Sequence, residues 1–242
     1  MRSPAEMFPK GLHQPENGFR FSVDALLLAA FAPGQGPARI ADLGTGCGVA
    51  GLAHLLLNPS SDIAVVGLDV DEEMIECARM NSSALGLEAR FHPELLDIVH
   101  VRERMTPESF DCILANPPYR TPGRGRRPEH PGRDRARFES GAGLETFCAA
   151  AGFLLKNRGV FCLIHLAERL PHLFDTLAAL NLEPKRLRFV HGRMGLAAKL
   201  VLVEARKNGG PGITVEPPLI LYASRDNRSY TNDALKFCPF LA

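Results

Sequence analysis

The sequence predicts an α/β fold: an open, seven-stranded, mostly parallel sheet with helices on both faces and an antiparallel closing strand. Three observations predict it. Short apolar or β-branched runs alternate with segments of helical spacing along residues 39–180. The last two strand-like runs, residues 185–191 and 199–205, have no helix between them, and so short a link makes the two strands antiparallel. The composition is that of an ordinary soluble globular chain: 242 residues, 45% hydrophobic, 23% charged, formal net charge +1. That length suits one large domain with a real core.

Taken in order, residues 22–31 (SVDALLLAAF) read as a helix with Ser22 as N-cap and Asp24 in its first turn. The Pro- and Gly-rich residues 33–37 end it. Residues 39–43 (RIADL) form the first strand, and a Gly-rich turn leads into a helix over residues 49–57 that Asn58-Pro59 stops. Residues 63–68 (IAVVGL) read as a strand buried on both faces. Residues 71–85 carry helical spacing, stopped by Gly86, and residues 89–92 are a short third strand. A strand over residues 110–115 (FDCILA) runs into Asn116-Pro117-Pro118-Tyr119; helices over 144–155 and 167–180 flank a strand over 159–165. The expected organisation is a leading segment and helix (residues 1–38), a central domain (39–207) and a tail (208–242) whose residues 219–222 offer one edge contact.

Several classes are excluded. No apolar run approaches the ~20 residues of a membrane span, and the polar residues 1–18 lack the apolar core of a secretory signal. The six cysteines are scattered, without a C-x-x-C pair or a histidine at ligand spacing, so neither a disulfide framework nor a metal site is expected. Buried thiols in a cytoplasmic protein are the expectation. Near-zero net charge argues against a uniformly basic coat but leaves room for a local basic patch.

The chemistry concentrates in two places. The loop Asp42-Leu-Gly-Thr-Gly-Cys-Gly48 follows a strand and opens a helix; Gly44, Gly46 and Gly48 permit a tight turn and close approach of backbone to a ligand. Its G-x-G-x-G spacing departs from the G-x-G-x-x-G of dinucleotide sites. Asp69 ends the next strand, placed to accept hydrogen bonds from two ribose hydroxyls, and Asp97 follows the third strand, placed to accept from an adenine amino group. At the end of the fourth strand, two prolines make a rigid turn that presents carbonyl oxygens. The Asn116 amide oxygen and the Pro117 carbonyl can accept both hydrogens of a planar NH₂, and Tyr119 offers a face for stacking. Such acceptors gain strength as positive charge builds on nitrogen during alkylation. A plain Pro-Pro turn is the bland alternative.

These residues resemble the class I S-adenosylmethionine-dependent methyltransferases of the Asn/Asp-Pro-Pro-Tyr type, which modify amino groups. Residues 18–28 (GFRFSVDALLL), with Asn116–Tyr119 and the pair Ala136-Arg137, resemble more narrowly the bacterial tRNA (adenine37-N6)-methyltransferases that act on tRNA1(Val). The resemblance implies a Rossmann-like methyltransferase fold and S-adenosylmethionine as cofactor. It implies Phe19 and Phe21 over the pocket, Asp42 and the glycines toward the methionine part, Asp69 toward the ribose and Asp97 toward the adenine. Asn116, Pro117 and Tyr119 would meet the target base, with Asn116 also lining the cofactor site.

Residues 120–137, from Arg120 to Arg137, hold seven arginines among prolines and glycines, suited to phosphate contacts with RNA beside the active site. Arg186, Arg188, His191, Arg193 and Lys199 offer a second basic edge or ordinary surface charge. The leading expectation is N6-methylation of an adenine in tRNA by a monomer or weak homodimer. An rRNA guanine amino group, a protein glutamine amide and a binding module without turnover stand as alternatives.

Overall fold

The computed structural model describes residues 7–16, 20–34, 38–119, 143–224 and 229–242; Phe19, the basic stretch 120–137 and the pair Ala136-Arg137 lie outside them. Strands β1 (Ala38–Leu43), β2 (Ile63–Asp69), β3 (Phe91–Leu95), β4 (Phe110–Ala115), β5 (Leu155–Leu166), β6 (Leu182–His191) and β7 (Ala198–Lys207) form one sheet in the order β3-β2-β1-β4-β5-β7-β6. The first five are parallel, and β7 runs antiparallel between β5 and β6. The closing strand is thus inserted inside the sheet, beside β5, rather than at its edge. Two short strands, β8 (Thr214–Val215) and β9 (Leu219–Ile220), extend the seven by pairing parallel with β6.

Side chains alternate across the sheet into two cores. Ile40, Cys112 and Leu114 face one cluster, while Ala41, Leu43, Ile113 and Ala115 face the other. Helices α1 (Val23–Phe31), α2 (Val49–Leu57) and α3 (Glu72–Ala84) cover the first face. The short α4 (Val101–Arg104), with α5 (Leu144–Leu154) and α6 (Leu170–Ala179), covers the second.

Helix α1 is apolar almost all round, and six of its nine residues are buried because the tail covers its outer side. The tail helix α7 (Asn232–Phe237) is capped by the Thr231 hydroxyl, which accepts the Ala234 N–H, and the Cys238 thiol donates to the Leu26 carbonyl of α1. Leu219, Ala234, Cys238 and Leu241 join the same core as α1 and α2. Ala32, bound by the following Pro33 to an extended backbone, ends α1. Ser22 occupies the N-cap position of α1, but its hydroxyl makes no capping bond.

Two of the candidate basic residues are absorbed by this packing. Arg186 lies over the Phe31 ring, donates to the Phe31 carbonyl and pairs with Glu204 and Glu216. Arg188 pairs with Glu216 and lies over Phe237. They lock the end of α1 and the tail onto β6 and do not form a basic edge.

Candidate active site

Strand order reverses between β1 and β4, because β1 connects outward to β2 and β4 outward to β5. Loops leaving the carboxyl ends of such a pair diverge and open a crevice, the usual ligand position in an open α/β sheet. The two sequence motifs sit there. Along the carboxyl edge, in sheet order, stand Asp97 after β3, Asp69 at the end of β2, the glycine loop after β1, Asn116–Tyr119 after β4, and His165 near the end of β5.

The glycine loop is braced from within. Its Asp42 carboxylate, 2% exposed, accepts the Thr45 hydroxyl at 2.6 Å and the Gly51 N–H at 3.1 Å. Burial raises this carboxyl to about 6 even against those two hydrogen bonds. Both bonds fall on Oδ2, so Asp42 braces the loop's own groups, a role that the sequence did not predict. Thr45 N–H bonds Leu68 O of β2 at 2.9 Å, and Asn81 donates to Cys47 O at 2.9 Å, tying the loop to α3. Thr45 and Asn81 carry no motif signal in the sequence.

The three loop glycines all have positive φ, but their surroundings differ. A Cβ on Gly48 would meet Leu52 and Phe91 at 3.0 Å, and one on Gly44 would meet Phe147 at 3.2 Å. A Cβ on Gly46 would find nothing nearer than Met74 Sδ at 4.0 Å. The loop is thus packed shut at its two ends and open at Gly46.

Asp69 stands beside that opening. Its Oδ2 accepts the Gly46 N–H at 2.8 Å and its Oδ1 the Asp71 N–H at 3.0 Å, while burial raises its carboxyl above the usual range. A carboxylate has about four lone-pair sites, so two remain for hydroxyl donors. Asp97 caps the turn that follows it, accepting the Val99 N–H at 3.0 Å. Phe21, just ahead of α1, is half-buried, and its N–H donates to Gln14 Oε1 at 3.3 Å. An open glycine backbone beside the Asp69 carboxylate, with Asp97 further along the same edge, offers clearance and acceptors for the hydroxyl and amino groups of a nucleoside, so the residues present fit S-adenosylmethionine.

On the other side of the crevice, Pro117 is buried and Asn116 and Tyr119 are half-buried. The Tyr119 hydroxyl lies 2.7 Å from Asp24 Oδ2 of α1 and 3.1 Å from Asn116 Oδ1. The Tyr119 and His165 rings meet edge to face, with centroids 5.6 Å apart. His165 is buried, which lowers its imidazole to about 4 and keeps it neutral, and its Nδ1 has no hydrogen-bond partner among the described residues. Sequence reasoning placed Asn116 and Tyr119 but missed Asp24 and His165; Asp24 looked like a first-turn carboxylate serving its own helix. Among the described residues no group of His, Cys, Asp and Glu is arranged to hold a metal, and no helix is long and apolar enough to cross a membrane.

Comparison with known proteins agrees with this geometry. The family model described as the methyltransferase small domain matches residues 22–127. The tRNA1(Val) (adenine(37)-N6)-methyltransferase of Erwinia tasmaniensis is 31% identical over 145 residues, covering 60% of this chain and 58% of that protein. The protein of the same name from Phocaeicola vulgatus is 30% identical over 187 residues, covering 76% of this chain and 75% of that one. In fold, the chain is similar to a crystal structure titled as a predicted O-methyltransferase from Agrobacterium tumefaciens, with a TM-score of 0.71 and 23% identity over 90% of this chain and 97% of that one. With the glycine loop and Asn116–Tyr119 following the neighbouring strands β1 and β4 at the switch point, and with three-quarters of the Phocaeicola relative covered, the chain belongs to the tRNA1(Val) (adenine(37)-N6)-methyltransferase family.

Proposed function

We propose that the protein transfers a methyl group from S-adenosylmethionine to the exocyclic N6 amino group of an adenine in tRNA. The observation that carries this reading is the Asn116-Pro117-Pro118-Tyr119 turn at the carboxyl end of β4, on the strand beside β1, whose loop is open at Gly46.

Residues on the β1–β3 side hold the cofactor. Gly46 gives it backbone clearance, Asp69 accepts the ribose hydroxyls and Asp97 accepts the adenine amino group, while Asp42, Gly44 and Gly48 keep the loop in shape. Bound there, the cofactor supplies a methyl group on a positively charged sulfur. Residues on the β4–β5 side hold the acceptor. Tyr119 stacks on the target base, splayed from its neighbours. Asn116 and the Pro117 carbonyl accept the two amino hydrogens. The nitrogen lone pair of adenine is delocalised into the ring, and two acceptors on its hydrogens favour localised charge, more strongly as the nitrogen becomes cationic. The basic stretch 120–137, immediately after Tyr119, is placed by sequence to meet tRNA phosphates. A cytoplasmic location follows from that substrate.

The test is transfer from labelled S-adenosylmethionine into unmodified total tRNA, followed by nucleoside analysis. N6-methyladenosine that is lost in Asn116→Ala is expected. Label in rRNA or in a protein glutamine, with none in tRNA, would overturn the substrate and retain methyl transfer.

A further inference from the structure

Tyr119 is held by a residue from the far end of the chain, and the arithmetic of one proton makes that contact consequential. A tyrosine hydroxyl has a single hydrogen, and a carboxylate offers only acceptors. Asp24 Oδ2 is at 2.7 Å and the Asn116 amide at 3.1 Å, so the hydrogen goes to the nearer, charged acceptor. With Asn116 Oδ1 turned to the tyrosine, two oxygen lone pairs would then face each other. A half-turn of the amide puts Nδ2 at the same point, and the two orientations are distinguished only by their hydrogen bonds. We infer that Asp24 is a positioning residue for methyl transfer: by taking the Tyr119 proton it turns the Asn116 NH₂ toward the tyrosine oxygen and leaves the Asn116 carbonyl oxygen for the acceptor amino group.

The surroundings hold this chain of hydrogen bonds in place. Asp24 rides on a helix buried between sheet and tail, whose end is locked by Arg186 on the Phe31 carbonyl. The His165 ring meets the Tyr119 ring edge to face. Ser22 and Asp24 both stand where helix-capping side chains stand, yet Ser22 makes no cap bond and Asp24 reaches 95 residues along the chain to Tyr119. Each hydrogen bond in the sequence Asn116 to Tyr119 to Asp24 polarises the next.

This assignment rests on the methyl-transfer reading, and its test separates the two. In Asp24→Ala the tyrosine proton is released to Asn116 Oδ1 and occupies the oxygen that catalysis needs, so kcat falls about tenfold, while S-adenosylmethionine affinity and KM for tRNA stay near wild type. In Tyr119→Phe there is no hydroxyl for Asp24 to act through, so the double variant Asp24→Ala/Tyr119→Phe turns over no more slowly than Tyr119→Phe alone. Asp24→Asn keeps an acceptor and restores most of the lost kcat. An independent readout needs neither cofactor nor RNA: the Asn116 side-chain ¹⁵Nδ2 resonance, identified by its loss in Asn116→Asp, shifts in Asp24→Ala. Losses that multiply in the double variant, or an Asn116 resonance unmoved in Asp24→Ala, would overturn the assignment. If wild-type protein methylates no tRNA, the function proposed above fails, and the resonance still decides the hydrogen-bond chain. Should Asp24→Ala not fold, Asp24→Leu takes its place in both measurements.

Discussion

Replacing Asp42 by Asn and His165 by Phe should tilt the pH dependence of stability in opposite directions. Both side chains are buried at the carboxyl edge of the sheet. Burial raises the Asp42 carboxyl from 3.8 to about 6 and lowers the His165 imidazole from 6.5 to about 4. The unfolded chain titrates both at ordinary values. Between those limits the folded chain keeps an Asp42 proton that the unfolded chain has released, so this group's contribution to stability falls as pH rises. Over nearly the same range the unfolded chain takes up an imidazole proton that the folded chain refuses, so the contribution of His165 rises with pH. Each displacement corresponds to about 3 kcal/mol, and in the wild type the two largely cancel. Asp69 and His54 are displaced by burial in the same respective senses and reinforce the balance. Asp42→Asn removes one side, leaving stability that climbs by about 3 kcal/mol from pH 4 to 6.5. His165→Phe removes the other, leaving stability that declines by a similar amount. Urea unfolding at a series of pH values reads both slopes. Parallel slopes in the two variants would refute the reasoning, because they would mean that burial displaces neither group.

Asn116→Ala should lower kcat by ~10²–10³, the usual cost of losing an acceptor or donor aimed at developing charge, measured at saturating S-adenosylmethionine. Gly46→Ala and Gly86→Ala both force alanine to a positive φ into open space, at about 1 kcal/mol each. Only the Gly46 variant should lose cofactor affinity, and equal affinities would remove Gly46 from the site. A Cβ at Gly51 would meet Phe91 at 2.6 Å and Val65 at 2.9 Å, so Gly51→Ala should cost about 2 kcal/mol of stability by overpacking, read by urea midpoint. Arg186→Met strands Glu204 without its cation and should destabilise by about 3 kcal/mol, measured the same way.

How much was legible depends on whether the signal was local. Helix α2 matches its expected bounds because Gly48 opens it and Asn58-Pro59 closes it, and β4 matches because an apolar run meets a proline. Strand β3 was expected over residues 89–92 and lies at Phe91–Leu95, where Pro93, Glu94 and Leu95 stand outside the apolar core and only pairing with β2 fixes the register. Strands β6 and β7 run longer than their apolar runs because each supplies the other's hydrogen bonds. Helix α7 escaped notice since six residues carry little periodicity, and its stability comes from packing on α1. The places of Gly46, Asp69 and Asn116 at the carboxyl edge are legible because each stands at or just after the end of a strand. The bracing role of Asp42 is not, because it depends on Thr45 and Gly51 closing over the carboxylate.

The site divides into halves with different dependencies. On the reading proposed above, the cofactor half runs from Asp42 to Asp97, and these hydrogen bonds brace it: Asp42 with Thr45 and Gly51, Asp69 with Gly46 and Asp71, Asp97 with Val99. The acceptor half reaches across the molecule, since Tyr119 is anchored on α1, and α1 is covered by the tail and pinned by Arg186 of β6. Damage to α1 or to the tail should then reach turnover through Asn116 and Tyr119. The same asymmetry explains why the glycine loop stands out as a short motif, and why the contact between Asp24 and Tyr119 had to be seen folded.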